Sequence, residues 1–330
     1  MNVSIHQLTN PKELATRSCA EGVHLPPEDE WNRLQPDVLF AVELTGKLQA
    51  VCSVWKNSLP IHKGNQPAVI GHFHAADQRT GSAVLEAACE YLRSEEATLV
   101  MGPINANTWN PYRLVTESNG RSPFLLEPAN PDFYVTAWKA SGFTTFAEYQ
   151  STIMPPQTEP DPRIFKVEER LHSLGIRIRN IRLDDFEAEL RHLYQVSCIS
   201  FRNNLLFTSI SESDFKGSYL PFRDKIRPEL VWLAEKGENC VGYIFCIPDY
   251  LQTTSGTPID TVIAKTLAIL PNRQYAGLGL LLMQRFHSFA ASAGYRHVIH
   301  ALMARTSQIK HFGKDRSERL RIYTLFSRPL

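Results

Sequence analysis

The same series of segments occurs twice along the chain, and that repetition limits the fold more than any single motif. In the first run, VLFAVEL, TGK and LQAVCSVW read as strand, glycine turn and strand. A further strand, AVIGHFHAA, leads into QRTGSA, a helix VLEAACEYLRSEE and a strand ATLVMGPI. In the second run, LVWLAE, KGEN and CVGYIFCI form the hairpin. TVIAKTLAIL then leads into QYAGLG, a helix ending at Ala293 and the strand YRHVIHALM. Gln78-x-x-Gly81-x-Ala83 and Gln274-x-x-Gly277-x-Gly279 hold the same place in each run. Matching parts in matching order argue for internal duplication.

Between the runs lies PPQTEPDP, Pro155 to Pro162, with four prolines and no large apolar residue. Such a composition favours a stiff, extended linker. The expected organisation is an N-terminal domain over 1–154, a linker over 155–162 and a C-terminal domain over 163–330. A chain of 330 residues with 43% hydrophobic content can fill two cores. Each half reads as α/β (α+β), a mixed, mostly antiparallel sheet flanked by helices. In the second half, IRIRNI adds a first strand and LDDFEAELRHLYQVSCISF a helix with an acidic first turn. Leu282, Phe286, Phe289 and Ala293 form the apolar stripe of the later helix. Gln284, Ser288 and Ser292 take its opposite face, and Gly294 stops it.

Lysine plus arginine (35) nearly cancels aspartate plus glutamate (34), so nothing attracts nucleic acid or anionic lipid in general. The opening MNVSIHQLTNPKEL has no apolar leader core. The longest apolar run, near Leu278 to Met283, is far short of the roughly 20 residues that span a bilayer. A soluble, cytoplasmic protein without a membrane partner is expected. Cys19, Cys52, Cys89, Cys198, Cys240 and Cys246 contain no Cys-x-x-Cys pair and read as structural or incidental. His72 and His74 would share a strand face, but no third ligand stands near them and no metal is expected.

At a strand-to-helix junction the first amides of the helix lack intrahelical acceptors and carry the positive end of the helix dipole. Gly277 and Gly279 would clear the approach for a diphosphate, with Ala276 intruding little; alternatively they only allow the helix to pack closely on the sheet. The spacing is not a P-loop, since no Lys and Ser/Thr follow Gly279. Nor is it a dinucleotide fingerprint, since Leu282 stands where the third glycine belongs.

A strand, then Gln/Arg-x-x-Gly-x-Gly/Ala opening an amphipathic helix, then another strand resembles the acetyl-CoA site of the GNAT superfamily of N-acetyltransferases. Over most of 176–330, and more loosely over 38–150, the chain resembles a bacterial tandem-GNAT protein. The resemblance implies two tandem GNAT-like domains; Arg79 and Thr80 are bulkier than Ala276 before the glycine, so the first is expected to be degenerate and to serve stability or acceptor recognition. It implies an acyl-CoA-dependent N-acyltransferase using acetyl-CoA or another acyl-CoA. The acceptor, an amine on a small molecule or protein, would attack the thioester directly. It also implies that Leu267, Ala268, Ile269 and Leu270 pair with the pantetheine arm like an added strand. Gln274, Tyr275, Ala276, Gly277, Leu278 and Gly279 would wrap the pyrophosphate. Arg273 would meet a CoA phosphate or simply be solvated.

The family's leaving-group tyrosine, four residues before a Gly-Phe pair, has no counterpart. TSQIKHFGKD offers His311 and Phe312 instead, and Trp138 stands at that place in NPDFYVTAWKASGF. A thiol of pKa about 8.5 leaves tolerably without an acid. The remaining proton-transfer candidates are His300, Asp249, Asp260 and Tyr323, each of which also reads as structural. NANTWNPYRLVTESNG, with Asn105, Asn107, Trp109 and Tyr112, either lines the substrate pocket or is an asparagine-driven turn region. Two other functions stay open. One is a catalytically silent acyl-CoA-binding or regulatory protein. The other is an aminoacyl-tRNA-using transferase, served by the basic run Arg305, Lys310, Lys314, Arg316, Arg319, Arg321 and Arg328. That run would otherwise meet the CoA 3′-phosphate or be solvated, and the neutral total charge counts against nucleic acid.

Overall fold

A computed structural model describes residues 3–254, 256, 258–304 and 316–330. The first run comprises β1 (Val3–Leu8), β2 (Ser18–Cys19), α1 (Glu28–Leu34), β3 (Val38–Leu44), β4 (Lys47–Trp55), β5 (Ala68–Ala75) and α2 (Gln78–Ser94). It continues with β6 (Leu99–Gly102), β7 (Leu114–Ser118), α3 (Asp132–Ala140) and β8 (Thr144–Met154). After the proline-rich segment come α4 (Arg163–Ser173), β9 (Ile176–Asn180), α5 (Phe186–Phe201), α6 (Glu212–Tyr219), β10 (Val231–Lys236) and β11 (Asn239–Pro248). The chain ends with α7 (Leu251–Thr254), β12 (Thr261–Ile269), α8 (Leu278–Ser292), β13 (His297–Ala304) and β14 (Glu318–Pro329).

All the strands join one sheet in the order β1-β3-β4-β5-β6-β14-β8-β13-β12-β11-β10-β9, with β2 on β4 and β7 on β14. The order is nearly a mirror about its centre. The last strand of each half is exchanged: β14 pairs with β6 of the first run, and β8 pairs with β13 of the second. At the seam β8 and β14 pair antiparallel with each other, Tyr149 opposite Tyr323. One continuous hydrogen-bonded ladder therefore ties the halves together.

Apart from the two-residue parallel contact of β2 with β4, each half contains one parallel pair, and it opens after a few residues. β12 and β13 stay in register only from Thr261–His297 to Ala264–His300, and β5 and β6 only over Ala68–Val100 and Val69–Met101. Past those points the strands diverge and leave unpaired edges. The cores lie on the sheet faces beside these openings. In the first half α2 and α3 cover β3 to β6 through Val84, Leu85, Leu92, Tyr134 and Trp138. In the second, α4 and α8 pack on one face through Ile164, Leu278, Leu282 and Phe286, and α5 and α6 on the other through Leu190, Leu193 and Phe215.

Gln284 departs from its expected place on a solvated helix face. It is only 4% exposed because the proline-rich segment lies over it, with its Nε2 donating to the Gln157 carbonyl at 3.3 Å. All six cysteines are free. Among the described residues no helix is long and apolar enough to cross a membrane.

Candidate functional site

Where β12 leaves β13 the sheet opens into a cleft that continues across to His72–Ala76 of the first half, about 2170 Å³ in all. Lys265 to Ile269 form one wall and His300 to Ala304 another, while Tyr112, Arg113 and Tyr149 reach in from the first half. The opening begins at a bulge. Phe245 faces Thr266 and Cys246 faces Ala264, so Lys265 has no partner on β11. Farther along, the Leu270 amide donates to the Val241 carbonyl. Alternation along the strand then turns the backbone groups of Leu267 and Ile269 away from β11 and into the cleft. Ser200 already donates to the Ile269 carbonyl on that side, at 2.8 Å.

The strand runs into the turn that opens α8. Asn272 caps the turn by accepting from the Gln274 amide at 3.0 Å, and the Tyr275 ring is buried in the core below. Gly277 has φ +85°, a conformation that side-chain-bearing residues rarely adopt, and is the N-cap of the helix. The first intrahelical bond runs from the Leu281 amide to the Gly277 carbonyl, and no side chain caps the helix. The amides of Leu278, Gly279 and Leu280 therefore have no acceptor within the helix. Ala276 and Gly277 are exposed, so the turn is open to solvent.

Its surroundings are cationic. Arg170 of α4 donates to the Gln274 carbonyl at 2.7 Å and to the Ala276 carbonyl, Lys236 Nζ donates to Gln274 Oε1 at 3.1 Å, and Arg273 is exposed. The first turn of α8 holds no acid. A Cβ on Gly277 would press against Val167 Cγ1 at 2.8 Å, whereas one on Gly279 would meet Leu267 at an ordinary 3.4 Å. Close packing therefore accounts for a glycine at 277 but not at 279.

The corresponding helix end in the first half is occupied. Asp77 caps α2, its Oδ1 accepting from the Thr80 amide at 2.7 Å and from the Thr80 hydroxyl at 2.9 Å. A carboxylate thus already sits at this helix N-terminus. Gly81 is a packing glycine: a Cβ there would meet Phe73 and Ala75 at 3.1 Å. The edge of β5 is taken as well, since the Ala75 amide donates to the Tyr134 hydroxyl at 3.0 Å. Trp138, in the place of the family's tyrosine, is fully buried against Phe73, Phe143 and Phe326. It is a core residue.

Of the proton-transfer candidates only His300 lines the cleft. Its Nε2 lies 2.9 Å from His287 Nε2, and the Gln157 amide donates to His287 Nδ1 at 3.0 Å. A neutral His287 must then carry its proton on Nε2 and donate to His300, whose own proton sits on Nδ1. Burial pushes His300 down to about 4; burial and then the His300 charge push His287 down to about 2. The accepting nitrogen of His300 is thus occupied, which opposes a role as general base.

The Tyr323 hydroxyl is bonded to Glu127 and to Ser151, and burial raises its pKa. Asp249 accepts from the Leu125 amide at 2.9 Å, its carboxyl raised by burial, and Asp260 accepts from Gln252 at 2.8 Å, which holds it low. These three hold loops together outside the cleft. His311 and Phe312 lie outside the described residues.

The asparagine-rich loop divides. Asn105 accepts from the His72 amide at 2.8 Å and donates to Glu30, while Asn107 accepts from the Trp109 amide at 3.0 Å. The asparagines thus shape the turn. Trp109 crosses to the second half, donating to the Thr208 carbonyl at 2.8 Å and packing against Phe201, Phe207 and Phe215. Tyr112 faces the cleft beside Arg113 and Tyr149. Neither Arg113 nor Lys265 stood out in the sequence, because nothing local marks two distant cations as neighbours.

Arg305, Lys310 and Lys314 of the basic run lie outside the described residues. Arg319 pairs with Glu117 at 3.2 Å, Arg321 with Glu127 at 3.4 Å and Arg328 with Glu86 at 2.8 Å, so these three make no open basic surface. No group of three metal-ligating side chains occurs among the described residues.

No family model and no curated protein matches the sequence. Solved structures do match in fold. A conserved protein of unknown function from Enterococcus faecalis V583, described as a probable N-acyltransferase, aligns with a TM-score of 0.55 at 10% identity. The alignment covers 100% of this chain and 73% of that one. The GCN5-related glucosamine N-acetyltransferase region of a fungal multi-domain beta-N-acetylglucosaminidase aligns with a TM-score of 0.53 at 10% identity, over 99% of this chain. This chain spans only 38% of that fungal protein. The protein has the GNAT fold, present twice in tandem.

Proposed function

We propose that the protein is an acyl-CoA-dependent N-acyltransferase whose second half binds the acyl-CoA and whose first half closes the acceptor side. One observation carries the reading: the open edge of β12 leads, through the single turn at Arg273–Tyr275, into the uncapped, solvent-open N-terminus of α8. Leu267 and the Ile269 amide, the Ile269 carbonyl being taken by Ser200, would pair with the amide-bearing pantetheine arm, as an added strand pairs with a sheet edge. The amides of Leu278 to Leu280, with Arg170 and Arg273 beside them, suit a pyrophosphate. Acetyl-CoA is the simplest donor.

In the reaction an amine attacks the thioester carbon, the C–N bond forms, and the C–S bond breaks to release thiolate. The Leu267 amide, turned into the cleft, is the donor available to the developing oxyanion. With His300 occupied by His287, the amine would enter neutral or lose its proton to water. The thiolate would leave without a dedicated acid. Tyr112 and Tyr149 form the acceptor wall from the first half.

The absence of a placed base and acid favours a second reading, an acyl-CoA-binding protein that does not turn over. Free thiol released from acetyl-CoA across a panel of small-molecule and peptide amines separates the two. Amine-dependent release is expected. Binding without release supports the second reading, and no binding removes both.

A further inference from the structure

Arg113 and Lys265 both line the cleft, and neither forms an ion pair with a described acid; Glu148, also on the lining, is not free. Arg113 is 9% exposed, and its Nε and Nη1 are buried without a hydrogen-bond partner. Its guanidinium lies over the rings of Tyr112, at 3.8 Å, and Tyr149, at 4.0 Å. Aromatic faces attract a cation but accept none of its in-plane N–H bonds. Lys265, the bulge residue at the mouth of the opening, lines the same cleft and makes no ion pair or hydrogen bond with a described residue. It is close enough that the Arg113 charge, after burial, lowers its proton affinity. Glu127, an acid on the same wall, is already held by Arg321, Tyr323 and the Phe124 amide.

Burying one cation without a counter-ion is unfavourable, and placing a second beside it adds repulsion. A bound anion removes both penalties. We propose that the cleft binds a carboxylate between Arg113 and Lys265, so that one of the two reactants is a carboxylic acid. The carboxylate belongs either to the acceptor amine or to the far end of the acyl chain. The assignment to a reactant rests on the acyltransferase reading; the anion site itself does not.

The test is calorimetric titration of the full-length protein with ligand twins that differ only in charge. One arm compares amino acids with their carboxamides, with and without CoA present; the other compares succinyl-CoA with butyryl-CoA. In one arm the acid should bind about 30-fold tighter than its neutral twin, the range for hydrogen bonds to charged groups. That preference should largely vanish in Arg113→Gln and in Lys265→Met. The lysine variant, at a strand bulge and less buried than Arg113, guards against an arginine variant that does not fold. The arm that shows the preference identifies the source of the carboxylate. Equal binding of twins in both arms, or a preference that survives in either folded variant, overturns the proposal. Failure of every CoA species to bind would remove the acyltransferase reading, while the amino-acid arm would still report on the anion site.

Discussion

The two strand-to-helix turns share a spacing and differ in what occupies the helix end. Before α2 stands Asp77, whose carboxylate caps the helix, and Tyr134 takes the edge amide of the strand behind it. Before α8 stands Gly277, with no side-chain cap, an exposed turn and Arg170 alongside. A helix N-terminus holds one anion well. In the first half the chain supplies that anion itself, whereas in the second the place is left for a ligand. The comparison teaches that the glycine pattern alone does not define a phosphate site; the residue at the cap does.

Giving α8 the acid that α2 has should produce the largest effect. Gly279→Glu adds a carboxylate at the helix end, at a position where a Cβ makes only an ordinary contact, so the fold should persist. CoA affinity should fall about 100-fold, read by titration, since like-charge placement at a desolvated contact costs several kcal/mol. An unchanged affinity would break the comparison.

The halves should also respond differently to acid. His287 and His300 are held well below their ordinary 6.5, at about 2 and about 4. Their contribution is complete above the unfolded value and is lost as pH falls from 6.5 toward these lower values. About 2.5–3 kcal/mol per histidine, roughly 5–6 in all, should disappear from the second half between pH 6.5 and 4. In the first half burial lowers His74 from 6.5 by less than either of these, and Glu30 is lowered from 4.5, chiefly by its bond to His72, so less stability is lost there over the same range. Hydrogen exchange resolved by segment, corrected for intrinsic rates, should show β12, β13 and α8 opening at pH 5 while β3 to β5 stay protected. Equal loosening of both halves would contradict this.

The smallest effect belongs to the first turn. Asp77→Ala should cost about 1 kcal/mol, the usual value of an N-cap, in denaturant unfolding. It should not create a CoA site, because Tyr134 still occupies the edge of β5. Gain of a second CoA site would show that the cap alone had closed it.

Much of this was legible in the sequence, because hairpins, the glycine turn and the amphipathic helix are written in local periodicity. The bulk of Arg79 and Thr80 marks the first turn as degenerate, but the physical cause, the Asp77 cap before Gln78, is missed when only the glycine pattern is read. The exchange of β8 and β14 was not, since strand pairing across the sheet leaves no local mark. Gln284 misled for a similar reason: its polarity fits a solvated face, but the proline-rich segment lies over it. The meeting of Arg113 with Lys265 depends on the same long-range assembly, and their shared lack of an ion pair with a described acid is visible only in three dimensions.

The central claim is that one chain grips a single CoA, at α8 and not at α2. Calorimetric titration of CoA into the full-length protein tests it most directly. One site per chain is expected, retained in Asp77→Ala and lost in Gly279→Glu. Two sites in the unmodified chain, or one site that Gly279→Glu leaves intact, would contradict it.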